Sequence, residues 1–258
     1  MTTATTNVRP SAGTPISRIT RIVKLNLTNP WTTIILPWII ILSIFALSWG
    51  IWLIVFTNID PGDVGNASEG MQYSGASSWI FVYMMVLAVQ AMNLTFPLAL
   101  GYGVTRRDFY LGSTLTFVLL SVMYAVGLTI LAGIEEATGG WGIGGSMFTA
   151  IYFGGPELAW WMRLPIFFFI LLFFFFIGAA VATLYVRWKA NGLVGFFIAL
   201  GLLVVGAVAL FTYTGTWHLV GEFFATNQAL GVTAWLLVPT VLAGIAGFFV
   251  LRRATPRS

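Results

Sequence analysis

Cysteine is absent from this 258-residue chain and histidine occurs once, at His218. The first absence excludes disulfides, thiolate metal sites and cysteine nucleophiles. The second excludes a metal centre built from several imidazoles. Charge is almost as scarce: Asp, Glu, Lys and Arg make up 8% of the residues, against about 25% in an ordinary soluble domain. With 59% hydrophobic residues and a mean hydropathy of +0.93, the composition suits lipid rather than water. Lysine occurs only at Lys24 and Lys189, and neither follows a glycine. The chain therefore lacks a phosphate-cradling loop ending in Gly-Lys-Ser/Thr.

What is present is a set of apolar runs. A spanning helix takes about 20 such residues, and six runs qualify: Ile34–Phe56, Trp79–Leu100, Leu111–Gly133, Leu164–Val186, Gly192–Tyr213 and Ala234–Leu251. None contains a charged residue. The first run comes after about thirty mostly polar residues, which does not fit a cleavable signal peptide. Tryptophans such as Trp31, Trp79, Trp160 and Trp235 fall near the run ends, where the headgroup layer favours them. The expectation is an all-α, polytopic membrane protein with six spans.

The charges orient it. Arg9, Arg18, Arg21, Lys24, Arg106, Arg107, Arg187, Lys189, Arg252, Arg253 and Arg257 all fall on one side of that pattern, leaving Arg163 alone opposite. The acids reverse this: Asp60, Asp63, Glu69, Glu135, Glu136, Glu157 and Glu222 lie opposite, and Asp108 alone sits with the cations. Cationic loops stay in the cytosol, so both termini are expected there. The pI near 9.6 reflects that bias, and no nucleic-acid partner is expected.

Two units are expected: residues 1–29, a cytosolic tail and amphipathic helix, and residues 30–258, the membrane domain. Residues 1–15 read as a disordered tail. Over Ile16–Leu27, Ile16, Ile19, Val23 and Leu27 share one helical face while Arg18, Arg21 and Lys24 take another. Such a helix lies in the interface with its cations on headgroups. The loop Gly101–Gly112 reads either as a small ordered helix on the membrane face or as a tight turn; Thr105 can cap a helical turn there, with Asp108 at the third helical position. Between the last two runs, Thr214–Thr233 places His218 and Glu222 four apart beside Phe223. It reads as a re-entrant helix pair or as a surface amphipathic helix.

The spans lack the buried ionisable group that ion-coupled transporters and pumps use. No catalytic residues are identified: a serine hydrolase built on His218 and Ser146 lacks a nucleophile elbow, and Glu135 and Glu136 lack the histidines of a metalloprotease. The two glutamates read as ordinary loop acids. Gln90 and Asn93 fall on one face with Val86 and Pro97, either lining a translocation path or joining helices by hydrogen bonds. The pairs Gly178/Ala182 and Ala243/Gly247 permit close helix contact, within the chain or across a dimer.

An amphipathic helix, six spans, the string Gly-Val-Thr-Arg-Arg-Asp-Phe-Tyr-Leu-Gly (Gly103–Gly112) and an apolar-aromatic segment before the last span together resemble the type-2 ABC exporter permease family. Without a fused ATPase domain, the chain is similar to the split, bacterial-type members. The resemblance implies a multi-pass subunit of the bacterial inner membrane, not an enzyme by itself. Two permeases, as homo- or heterodimer, would act with two separate P-loop ATPase subunits that carry ATP and Mg. Thr105, Arg106, Arg107, Asp108, Phe109 and Tyr110 would form the coupling helix, and Arg18, Arg21 and Lys24 would lie on the connecting helix. Gln90, Asn93 and Pro97 would flank the substrate path, with His218, Glu222 and Phe223 at the outer gate. Rival classes are a membrane-embedded assembly subunit or enzyme without transport activity, and a passive facilitator.

The charge split generates a test. Cysteines introduced at Ser68 and Thr138 should label with an impermeant maleimide on intact cells, and those at Ser11 and Ser258 only after permeabilisation. External labelling at Ser258 overturns the orientation.

Overall fold

Proline placement explains the first irregularities of the chain. The computed structural model describes residues 15–60 and 62–253; the tail expected over residues 1–15 lies outside them apart from Pro15. Helix α1 (Pro15–Asn26) is followed by a π-helical turn, Trp31–Ile35, that runs into α2 (Leu36–Asn58). After α3 (Val64–Met71), a second π-helical turn, Ala91–Thr95, joins α4 (Trp79–Gln90) to α5 (Phe96–Gly101). Each turn ends two residues before a proline, Pro37 or Pro97. Proline has no N–H to donate and its ring clashes with the carbonyl four residues back. In both cases the chain widens instead: Leu36 N–H reaches Trp31 and Phe96 N–H reaches Ala91, five residues back. The first turn frees carbonyls at Thr32 and Thr33, and these accept from the Tyr83 hydroxyl (2.7 Å) and the Tyr124 hydroxyl (2.8 Å).

The chain continues as α6 (Arg106–Ala137), α7 (Arg163–Thr214), α8 (Trp217–Trp235) and α9 (Leu237–Arg252). The described residues are helical with no strand, and five stretches are long and apolar enough to cross a membrane: Trp31–Asn58, Val64–Gly101, Arg106–Ala137, Trp160–Thr214 and Trp217–Arg252. The fourth and fifth expected runs both fall inside α7. A straight helix of 52 residues would be about 80 Å long at 1.5 Å per residue, far beyond a hydrocarbon layer of about 30 Å. It is not straight. Lys189 has φ 58° and ψ −152°, and a Cβ added to Gly192 would lie 2.3 Å from the Trp188 Cβ. The chain thus bends sharply between Leu164–Val186 and Gly192–Tyr213. The same device recurs in α8, where Gln228 has φ 51° and ψ −170° and a glycine, Gly231, again comes three residues later.

The core lies among α4, α6, the first part of α7 and α9. Within the phenylalanine-rich run, Phe167, Leu171 and Phe175 recur every four residues and are buried, whereas most of their neighbours are only half-buried. Phe175 stacks on Phe117 of α6 with ring centroids 5.1 Å apart, and Phe174 stacks on Phe81 of α4 at 5.8 Å. The small-residue pairs serve contacts within the chain. A Cβ on Gly178 would meet the Met85 carbonyl of α4 at 2.4 Å, and one on Gly247 would meet the Tyr110 hydroxyl at 2.9 Å. Beyond Lys189 the packing thins. Residues 194–206 are exposed on every side of the helix, an apolar surface that lipid or another subunit must cover.

The bend at Lys189 gives a second prediction. A Cβ at Gly192 would collide with Trp188, so Gly192→Leu should lower stability by roughly 1–3 kcal/mol, measured by thermal unfolding in detergent. Gly195→Leu, where a Cβ meets nothing within 4 Å, is the control. Equal melting of the two variants would mean that the bend is absent.

Candidate functional site

At the arginine-rich end, four helix ends are tied together around residues 102–107. Thr105 is extended (φ −72°, ψ 148°) and its hydroxyl accepts the Asp108 N–H at 3.1 Å, the cap that the sequence suggests. The helix begun there does not stop. It runs on as α6 to Ala137, so no separate coupling helix exists on the membrane face among the described residues.

Asp108 is 8% exposed and its carboxylate lies 3.5 Å from Arg18 Nε of α1. It also sits in the first turn of α6, where the helix end carries partial positive charge. Farther along α1, Ile22 is buried against Gly112, where an added Cβ would come within 2.5 Å of the Ile22 Cβ. Asn26 Nδ2 donates to Ser113 Oγ at 3.2 Å and Thr116 Oγ1 at 3.4 Å. The amphipathic helix, expected over Ile16–Leu27 and found at Pro15–Asn26, is thus docked on α6 rather than only resting on headgroups. Arg21 and Lys24 stay exposed, while Arg18 is committed to Asp108.

The aromatic pair needs correction as a partner contact. Phe109 is fully buried against Phe96 with ring centroids 5.2 Å apart. Tyr110 is 6% exposed, its hydroxyl donating to the Gly244 carbonyl of α9 at 2.6 Å. Neither side chain is free to fill a groove on another protein. The sequence held a signal: Phe109, Ser113, Phe117 and Leu120 share one helical stripe, which a run starting at Leu111 cuts off. In this loop the exposed aromatic is Tyr102, at 81%, and Arg107 is exposed as well. Arg106 is half-buried and its Nη1 donates to the Arg252 carbonyl at 3.0 Å, satisfying an orphan acceptor in the last turn of α9.

Between the two π-helical turns lies a cavity of about 210 Å³, lined by Asn26, Thr32, Thr33, Gln90, Thr95 and Thr116 among others. Its polar groups are neutral. Gln90 lines it, whereas Asn93 and Pro97 are not part of its lining. The π-helical turn carries an extra residue, which rotates the rest of the helix by about 100° relative to an uninterrupted α-helix. Helix α8 brings no pair together: His218 and Glu222 are exposed, and among the described residues no hydrogen bond or ion pair joins them. His218 Nδ1 lies 3.3 Å from the Gly215 carbonyl, and the Phe223 and Trp235 rings are 6.1 Å apart.

At the far end of α6, Glu135 and Glu136 are not ordinary loop acids. Glu135 is 1% exposed. Its carboxylate accepts from Trp141 Nε1 at 2.7 Å, the Thr149 hydroxyl at 2.6 Å, and the backbone N–H groups of Met147, Phe148 and Thr149 at 2.8–3.2 Å. Converging amides of this kind form a nest for an anion, here filled by the chain's own side chain. Arg163, fully buried, reaches Glu136 at 3.6 Å and donates to the Gly155 carbonyl. The signal was available: the lone cation of that side and two adjacent acids flank a glycine-rich loop.

Exposure and burial at residues 102–110 separate a surface role from a packing role. Phe109→Ala should cost about 3–5 kcal/mol of stability, whereas Tyr102→Ala should stay within about 0.5 kcal/mol of the parent. Thermal unfolding in detergent reads both, and an indifferent Phe109→Ala contradicts the packing described.

Comparison with protein-family models, curated proteins and solved structures finds no match to this chain.

Proposed function

We propose that this chain is the membrane-spanning permease subunit of an ATP-driven exporter, working with a separate ATPase and a second permease copy. The observation that carries the reading is the junction at residues 102–107. A push on exposed Tyr102 or Arg107 reaches α5 directly and α6 through the Thr105 cap. It reaches α1 through Asp108 and Arg18, and α9 through the Arg106 bond to the Arg252 carbonyl. Transport driven by another protein needs a rigid handle of this kind, because a compliant loop would absorb the motion rather than shift the balance between two states. Coupling in this form uses Tyr102, Thr105, Arg106 and Arg107 as the surface, with Asp108, Phe109 and Tyr110 as its buried footing.

The remaining features fit the same reading. Counting α7 as two spans about Lys189 gives six, which leaves both termini on the cytosolic side with the arginine-rich end. The bend at Gln228 makes residues 217–235 a helix pair suited to re-entry from the outer side. The neutral cavity beside Gln90 is a segment of the substrate path. The exposed run at residues 194–206 is available to lipid or to a second permease. ATP and Mg belong to the partner subunit, since this sequence has no phosphate loop.

The test is the pairing itself. Affinity-tagged chain should copurify a P-loop ATPase, and the chain alone should neither bind nor hydrolyse ATP. The double variant Tyr102→Ala/Arg107→Glu should insert and melt like the parent, yet lose about tenfold or more in ATPase retention, the scale of a central interface anchor. ATP hydrolysis by the isolated chain, or full retention by the double variant, refutes the proposal.

A further inference from the structure

The end of α9 and the start of α6 enclose a cavity of about 670 Å³ lined by Thr105, Arg106, Arg107, Leu111, Phe248 and Arg252. Three arginines line it and, among the described residues, no acid does. The nearby acid, Asp108, is 8% exposed and turned to Arg18. Below it, α6, α7 and α9 form an open groove of about 430 Å³ that shares Leu111 and Phe248 with the cavity. The two therefore adjoin along α6 and α9, one basic and the other apolar. Apart from Thr114, the hydroxyls in the groove, those of Tyr110 and Thr240, are spent inside the chain, on the Gly244 and Leu236 carbonyls. What the groove offers an occupant is hydrocarbon contact.

Its dimensions select the occupant. Along α9 the lining runs from Leu237 to Phe249, about 18 Å at 1.5 Å per residue. One leaflet contributes about 15 Å of hydrocarbon, so the groove reaches from the headgroup boundary to near the bilayer midplane. An extended acyl chain matches the groove in length and in its apolar lining. Basic pockets between helices at a membrane face suit anionic headgroups.

We infer that this feature is a site for an anionic glycerophospholipid of the adjoining leaflet, with its phosphate among Arg106, Arg107 and Arg252 and an acyl chain between α6, α7 and α9. The site does not depend on the exporter reading, because it requires only that these helices lie in a bilayer. Arg107 and Arg252 are exposed, and neither guanidinium is held in an ion pair among the described residues, so both can close on a phosphodiester. Arg106 keeps one nitrogen on the Arg252 carbonyl and has the rest of its fork for the lipid.

Native mass spectrometry of the full chain in neutral detergent tests this, with phosphatidylglycerol and phosphatidylcholine of identical acyl chains as probes. The parent should retain one phosphatidylglycerol with a preference of about tenfold or more over phosphatidylcholine. Arg107→Gln/Arg252→Gln, which leaves the Arg106 bond to the backbone of α9 intact, should abolish the preference. Ile245→Trp, filling the groove from an exposed position, should weaken retention of the long-chain lipid by an independent route. Arg21→Gln, at the same end but remote from the groove, should change nothing. Equal retention of the two lipids by the parent overturns the site, as does an undiminished preference in the double arginine variant or an equal loss in Arg21→Gln. Displacement of the lipid by inorganic phosphate or by a short-chain phosphatidylglycerol would reveal a simple anion site and would also overturn it.

Discussion

Hydrocarbon offers a polar group no hydrogen-bond partner, and at the ends of α6 and at the turn before Pro37 this chain supplies partners from its own side chains. Pro37 and Pro97 interrupt two apolar helices, and the first interruption is closed by tyrosines from α4 and α6 that reach the freed Thr32 and Thr33 carbonyls. These bonds do more than repair a helix. They tie α2 to α4 and α6 across the fold, at the place where the neutral cavity opens. The irregularity, the cavity and the interhelical links thus share one origin.

The two ends of α6 meet the same constraint differently. At Arg106 the helix is capped by Thr105, paired through Asp108 to α1 and linked through Arg106 to α9. At Ala137 it is closed by Glu135, whose carboxylate gathers the amides of a glycine-rich loop. A carboxylate buried this deeply is tolerable because several N–H and O–H donors replace its water. Helix α6 is consequently held at both ends, with one side of it packed along its length. The chain beyond Lys189 is built otherwise. Over residues 194–206 it keeps its apolar character while exposing every residue, and packing returns with α9, which rejoins the core.

The arginine-rich end divides its cations by task. Arg18 neutralises Asp108 and thereby fixes α1, while Arg106 closes the last turn of α9. Arg107 and Arg252 remain exposed, lining a basic cleft that adjoins an apolar groove. A charge bias that orients a membrane protein as a whole is here also a set of local bonds. The charge asymmetry of the sequence and the docking of the helices involve the same residues.

The all-helical membrane character, the charge asymmetry, the Thr105 cap and the amphipathic α1 could be read from the order of residues alone. Each is written in composition, in 3.6-residue periodicity or in a contact between residues a few positions apart. Packing was needed to make Phe109 and Tyr110 footing rather than surface, because their burial depends on Phe96 and on Gly244, which belong to other helices. The role of Glu135 emerged in the same way: an acid at the end of an apolar helix looks solvated until the loop that folds over it is in place. Local signals survive in a sequence because neighbouring residues meet regardless of fold. The partners of a buried aromatic ring or carboxylate are chosen by how distant helices and loops come together, and that choice belongs to tertiary structure.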